Sequence, residues 1–481
     1  MSSRDARREF LKTMGFGGAM LVLPRQLWAA GGRRRKPNIV FIITDQQHSG
    51  MMSCTGNPYL KTPAMDRLAA SGKRFERAYT ANPVCIPARF SFFTGRMPSA
   101  VGIGENADGR AGVPRDVPVH AMGWLMKSAG YETVYGGKTH FPKNMTLANM
   151  GFRNLTKNQR GELAEKCAEF IKQPHDKPFL LVASFINPHD ICYMAINDYA
   201  RATGQKPIAN EAAAICEGFI GEPKKNLEQF VDEHCPPLPD NFDVPKLEPE
   251  CITTCYLKVR EFRQYVRDKW SPEMWRLHRW AYCRLTEMVD EKIGHVLDAV
   301  REAGLEDNTL IVFTSDHGDH DSSHHLEHKS ILYEQAARIP FIMSYKGVIP
   351  AGTVDDTHLV SSGLDLLPTF CDYAGADVPE GLHGASVRPI AEGKPAPDWR
   401  DHIVVESQNG RMVRTDRYKY CVYDSGQHRE QLTDLETDPG ETKNLAYDDK
   451  YAKIIEQHRK LLAKWVNRTN DAIGQKYIVT S

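Results

Sequence analysis

The chain lacks an excess of charge of either sign: Lys+Arg and Asp+Glu each number 61. No global field draws it to nucleic acid, and any preference for an anion must be built locally at a site. Aromatic residues make up only 9%, and no basic block interrupts the body of the chain, so nucleic-acid binding has no support. Beyond the N-terminal segment there is no apolar run long enough to span a bilayer, which argues against an integral membrane protein. Internal repeats and low-complexity linkers are also missing. The 11 cysteines are odd in number and scattered, so they do not form a disulfide framework. Cys251 and Cys255 are close, but no second pair stands near them to complete a zinc knuckle. What remains is an ordinary globular balance, 41% hydrophobic and 25% charged, over 481 residues. That length suffices for one large domain and a smaller one.

The N-terminus reads differently. Arg7-Arg8-Glu9-Phe10-Leu11-Lys12 precedes a modest apolar stretch from Met14 to Leu23, then Trp28-Ala29-Ala30-Gly31-Gly32. A basic start, a short apolar middle and small residues form an export signal. The twin arginines followed by Phe-Leu-Lys resemble a Tat signal, so residues 1–31 are expected to engage the Tat export machinery and direct the protein to the periplasm or beyond.

Downstream, short apolar runs end repeatedly on chemically capable residues. Ile39–Thr44 ends on Asp45, Phe179–Phe185 runs to Asn187-Pro188-His189, and Thr309–Ser315 ends on Asp316-His317. Glu132–Tyr135 leads through Gly136-Gly137 to Lys138 and His140. Continuous apolar strands are buried on both faces, and helical patterns separate them, most clearly from Trp275 to Gly304. The expectation is an α/β fold with a large, mostly parallel sheet sandwiched by helices, over residues 36–400. In such sheets ligands bind beyond the carboxyl ends of the strands, so Asp45, His140, His189, Asp316 and His317 should converge at one edge. Residues 197–258, rich in Pro, Cys and charge, read as an insertion near the site. From 401 to 481 short alternating runs predict a small antiparallel sheet followed by a helix over about 450–466.

Cys85-Ile86-Pro87-Ala88-Arg89 fits Cys-x-Pro-x-Arg and continues through Phe90 to Pro98. With this run the chain resembles the type I sulfatases of the alkaline phosphatase-like superfamily. Further matches follow in order: Pro37–Gln47, Gly136-Gly137-Lys138-Thr139-His140, Thr314-Ser315-Asp316-His317-Gly318, Lys329 with Tyr333-Glu334, and Leu435–Glu441 with Asn444-Leu445. The family's usual fourth motif residue is Ser, here Ala88. The resemblance implies that a maturation enzyme oxidises Cys85 to formylglycine (3-oxoalanine). Its hydrate would be the nucleophile that hydrolyses a sulfate monoester.

The same resemblance supplies roles. Asp45, Gln46, Asp316 and His317, with position 85, are the expected metal group, and oxygen donors suit Ca²⁺ better than zinc. Many relatives carry Asp at position 46 and Asn at position 317, so this site has one carboxylate fewer. Arg89, Lys138 and Lys329 are the cations expected around the nucleophile and the sulfate. His140 would take the proton that lets sulfate leave. His189 and Lys329 are candidates for protonating the leaving oxygen, and both, with His324, for touching substrate. Of the remaining loop histidines, His320, His325 and His328 are expected to be exposed, supporting or structural. The substrate class implied is a sulfated carbohydrate, such as a glycosaminoglycan or algal polysaccharide fragment. The rivals are a phosphonate monoester or phosphodiester hydrolase of the same superfamily, and a carbohydrate-binding pseudoenzyme whose Cys85 is never converted.

Overall fold

In a computed structural model describing residues 35–221 and 223–479, the strands in chain order are β1 Asn38–Asp45, β2 Lys73–Phe75, β3 Ala78–Tyr79, β4 Glu132–Gly137, β5 Arg153–Thr156, β6 Phe179–Pro188 and β7 Thr309–Ser315. They continue with β8 Phe341–Ser344, β9 Thr353–Asp355, β10 Val360–Ser361, β11 Ile403–Ser407, β12 Gly410–Arg414, β13 Tyr418–Tyr423 and β14 Glu430–Asp434. The export-signal reading of residues 1–31 lies outside the described residues.

The apolar runs become the centre of an eight-stranded sheet ordered β5-β4-β6-β1-β7-β8-β2-β9. β1 is buried along its whole length and pairs in parallel with β6 on one side and β7 on the other. β4 continues the parallel array beyond β6, whereas β8 runs antiparallel to β7. The β-branched and aromatic side chains of β1 alternate between two apolar layers. Ile39, Phe41 and Ile43 pack with Phe92, Phe93 and Phe370 in one layer. Val40 and Ile42 face Val289, Ile293 and Val296 in the other. Each such side chain, fully buried, contributes roughly 1.5–3 kcal/mol relative to exposure.

Helices cover both faces. The longest, Pro272–Glu302, starts where Ser271 accepts the Met274 N–H and Pro272 occupies the first turn, where no N–H partner is needed. The insertion is built of short helices, including Glu211–Ile220, Leu227–His234 and a π-helical turn at Ile252–Leu257. Cys216, Ile220, Val231 and Cys235 pack there against Trp275 and Tyr282 of the long helix.

The C-terminal segment forms the antiparallel sheet β11-β12-β13-β14, and the helix Ala452–Thr469 packs on it through Ile455, Leu462, Trp465 and Val466. Lys36–Ser481 nevertheless cluster as one compact unit. Among the described residues no helix is long and apolar enough to cross a membrane.

Candidate active site

The carboxyl ends of β1, β4, β6 and β7 open on one edge, as parallel pairing in register requires: Thr44 lies beside Ser315, and Gly137 beside Ser184. Asp45 ends β1, Lys138 follows β4, His189 follows β6 and Asp316 follows β7. Cys85 meets them as the first residue of the helix Cys85–Thr94, every residue of which is buried. The Ile86 N–H donates to Asn106 Oδ1, fixing the entry to that helix, whose N-terminal end carries partial positive charge.

Around the Cys85 Sγ stand Lys329 Nζ at 3.1 Å, His317 Nε2 at 3.2 Å, and Lys138 Nζ and Asp45 Oδ1, each at 3.8 Å. Burial and Asp45 push the thiol pKa up, but Lys138, Lys329 and His317 outweigh them and hold it well below its ordinary value. An anion is therefore the favoured species at position 85.

Arg89, wholly buried, binds the carboxylates instead of facing outward. Its Nε donates to Asp316 Oδ2 at 2.9 Å, Nη2 to Asp45 Oδ2 at 3.2 Å, and Nη1 to Ser184 Oγ and the Lys138 carbonyl. Lys138 Nζ takes the same Asp45 Oδ2 at 2.5 Å. The Oδ1 atoms of both aspartates are left on the other side with His317. Asp316 Oδ1 lies 3.5 Å and Asp45 Oδ1 3.9 Å from His317 Nε2. His317 Nδ1 donates to the Gly318 carbonyl at 2.8 Å, and although burial and Lys329 lower the ring's pKa, Asp316 and Cys85 prevail and raise it, so Nε2 is the atom that holds either a proton or a cation.

This donor set fits a divalent cation. Ligand atoms of Asp45, Cys85, Asp316 and His317 all lie within 4.8 Å of one another. Burial pushes Asp316 up to about 7, with Asp45 adding to the rise and His317 and Arg89 opposing it. Asp45 is held well below the carboxylate range despite burial, by Lys138, His189 and Lys329. Two carboxylates that compete for one charge in a dry site are what an intervening cation relieves.

Gln46, expected among the metal donors, is fully buried next to Asp45. Its Oε1 accepts from Lys329 at 2.9 Å and its Nε2 donates to Asp319 Oδ2 at 2.7 Å. An acceptor-only carboxylate and a donor-only ammonium leave the amide one orientation. His189 is partly exposed, and burial together with Lys138 and Lys329 lowers its pKa well below the ordinary value. His140 is exposed on the cavity wall, and no hydrogen bond of its side chain to the buried cluster is seen. His324 corrects an expectation: it is fully buried, stacked 3.9 Å from Tyr333 and beside Asn241, and is not on the cavity wall. His320 and His328 are buried too. The loop that brings Lys329 to Cys85 is wound tightly, with positive φ at Asp321, Ser322, His324, His325, His328 and Ser330. These conformations strain non-glycine residues and carry the histidines away from the surface.

A cavity of about 1020 Å³ leads to this cluster. Lys329, His140 and Ile86 line it together with residues the sequence did not single out: Tyr256 of the insertion, Arg263 of the helix Glu261–Lys269 that follows it, and Gln408 and Asn409 of the turn between β11 and β12. No local motif marks those positions, because three distant segments meet only in the folded chain.

Comparison with known proteins places the chain among sulfatases. The Sulfatase family model matches residues 37–376, and a model for the C-terminal part of N-sulphoglucosamine sulphohydrolase matches 322–468. A Delta 4,5-hexuronate-2-O-sulfatase of Bacteroides thetaiotaomicron is 31% identical, over 92% of this chain and 91% of its own. An arylsulfatase of Clostridium perfringens is 28% identical, over 89% and 94%. The solved structure of a 2-O GAG sulfatase superposes with a TM-score of 0.74 at 29% identity, covering 91% of this chain and 93% of the other.

Proposed function

The chain belongs to the sulfatase family, and from that premise we propose that it hydrolyses a sulfate monoester of a carbohydrate, with residue 85 acting after conversion from cysteine to formylglycine and with Ca²⁺ bound beside it. The observation that carries this reading is the setting of Cys85: an anion-favouring position between Lys329, His317 and Lys138, beside two aspartates, at the foot of a large cavity.

Asp45 and Asp316, through their Oδ1 atoms, and His317, through Nε2, would hold the Ca²⁺, which would supply Lewis acidity next to position 85. Hydrated formylglycine would supply one hydroxyl to attack sulfur and a second whose deprotonation ejects sulfate. Arg89 keeps both carboxylates in place for that ion. Lys138 and Lys329 present N–H groups where negative charge gathers as the ester bond breaks. Lys329, whose Nζ stands 3.1 Å from the side chain at position 85, is the donor placed for the leaving oxygen. His189, kept neutral, accepts a hydrogen bond there instead of supplying the proton. His140, on the cavity wall, receives the proton from position 85.

The relatives' activities support a sulfated carbohydrate as substrate, and the twin-arginine segment supports Tat export to the periplasm after a maturation enzyme has acted on Cys85. The test is release of inorganic sulfate from a panel of sulfated mono- and disaccharides, run beside a phosphonate monoester. Sulfate release is expected; turnover of the phosphonate alone would overturn the assignment.

A further inference from the structure

We propose that the substrate carries a second anionic group, a carboxylate or another sulfate, on the sugar that leaves, and that Arg263 is the residue that selects for it. This rests on the sulfatase reading and names the class of sugar it takes. The cavity wall bears Arg110, Lys143, Arg260 and Arg263 against the single acid Glu105. Among the described residues none of these four cations forms an ion pair with a carboxylate. Their neighbours do: Arg267 binds Glu248 at 2.9 Å and Arg279 binds Asp321 at 3.2 Å.

The reacting sulfate does not account for them, because Lys138 and Lys329 already stand at position 85. Four cations facing one cavity repel one another, and that repulsion is relieved when a ligand brings negative charge. Arg263 is the best prepared of the four. Its guanidinium stacks 4.0 Å from the ring centroid of Tyr256, which is buried and anchored by its hydroxyl to the Glu327 carbonyl. Nη1 reaches the Tyr256 carbonyl at 3.4 Å, but the buried Nε has no partner. A planar donor fork, immobilised on an aromatic ring and left with an unused N–H, is matched to a carboxylate or a sulfate rather than to a neutral hydroxyl.

The experiment uses the matured full-length enzyme and three sulfate esters of one sugar framework: the neutral sugar, its uronic acid, and the sugar bearing a second sulfate. At least one anionic partner should exceed the neutral one in kcat/KM by roughly tenfold or more, as a charged hydrogen bond implies. R263Q should close that gap, mainly through KM for the anionic substrate, and R263K should restore part of it. The arm that wins identifies the anion. Equal kcat/KM across the three, or an R263Q loss that falls equally on neutral and anionic esters, would overturn the proposal while leaving sulfate hydrolysis intact. No sulfate release from any ester would overturn the sulfatase reading and this proposal with it.

Discussion

Two buried charge clusters lie only a few residues apart along the chain, yet they are built to opposite ends. Lys329 belongs to the Cys85 cluster; Glu334 belongs to a second, at the seam between the main sheet and the C-terminal sheet. In the second, Lys419 Nζ binds Glu441 at 2.6 Å and Glu334 at 3.2 Å. The Tyr79 hydroxyl donates to Glu334 at 2.8 Å and accepts from Arg414 at 3.1 Å. There Lys419, Arg414 and Arg338 surround Glu334 and Glu441, and none of the five lines the large cavity. Around Cys85, Arg89 and Lys138 bind Asp45 and Asp316, Lys329 reaches the Cys85 Sγ, and the cluster opens on the cavity through Lys329. A closed network fastens two sheets. An open one presents its cations to an anion. Burial alone does not separate structural charge from functional charge; the opening does.

The sharpest break in this comparison is Cys85→Ala, which should cut sulfate release on the order of 10⁴-fold or more while leaving the thermal midpoint nearly unchanged. Calorimetry beside a sulfate assay reads both. Next comes Lys329→Ala, expected to lower kcat by about 10²–10³-fold, as the loss of a donor at developing charge does. Lys419→Met should do the reverse: it leaves Glu334 and Glu441 buried without their cation, costing about 3–5 kcal/mol in denaturant unfolding, with kcat per folded molecule intact. If Lys419→Met lost activity without stability, the two clusters would not be distinct in kind. Chelation by EGTA should abolish turnover reversibly and lower the thermal midpoint, with Ca²⁺ restoring both, since a ligand at 100 times its Kd stabilises by about 2.7 kcal/mol.

The smallest effect expected is on pH. Burial raises the Glu334 pKa, but Lys419, Arg338 and Arg414 prevail and bring it down to about 2. A depressed carboxylate stabilises the fold above its unfolded pKa near 4.3, and that stability drains away as pH falls toward 2. Glu441, raised chiefly by burial, offsets part of it. Unfolding free energies measured from pH 5 to pH 2 should therefore fall less steeply in Glu334→Gln than in the parent.

Much of this was legible in the sequence because it is local. β1, β6 and β7 are unbroken apolar runs, and Asp45, His189 and Asp316 follow from where those runs stop. β2, β8 and β9 escaped notice, since strands of three or four residues have too little period to register. Gln46 was read as a metal donor from the family resemblance; the contacts its side chain makes with Lys329 and Asp319 come from a loop hundreds of residues away and could not be read locally. His324, buried instead of on the cavity wall, could not be placed from the sequence either. A histidine-rich loop in left-handed turns has no periodicity that tells which ring faces the cavity. Arg263 and Asn409 carry no motif at all.

The most direct test is the chemical identity of residue 85 in active enzyme. Protein produced with a competent maturation system should give a tryptic peptide 78–89 in which the cysteine sulfur is gone and an aldehyde is present, with sulfate release proportional to the converted fraction. Full activity from protein whose residue 85 is still an unmodified cysteine would contradict the account.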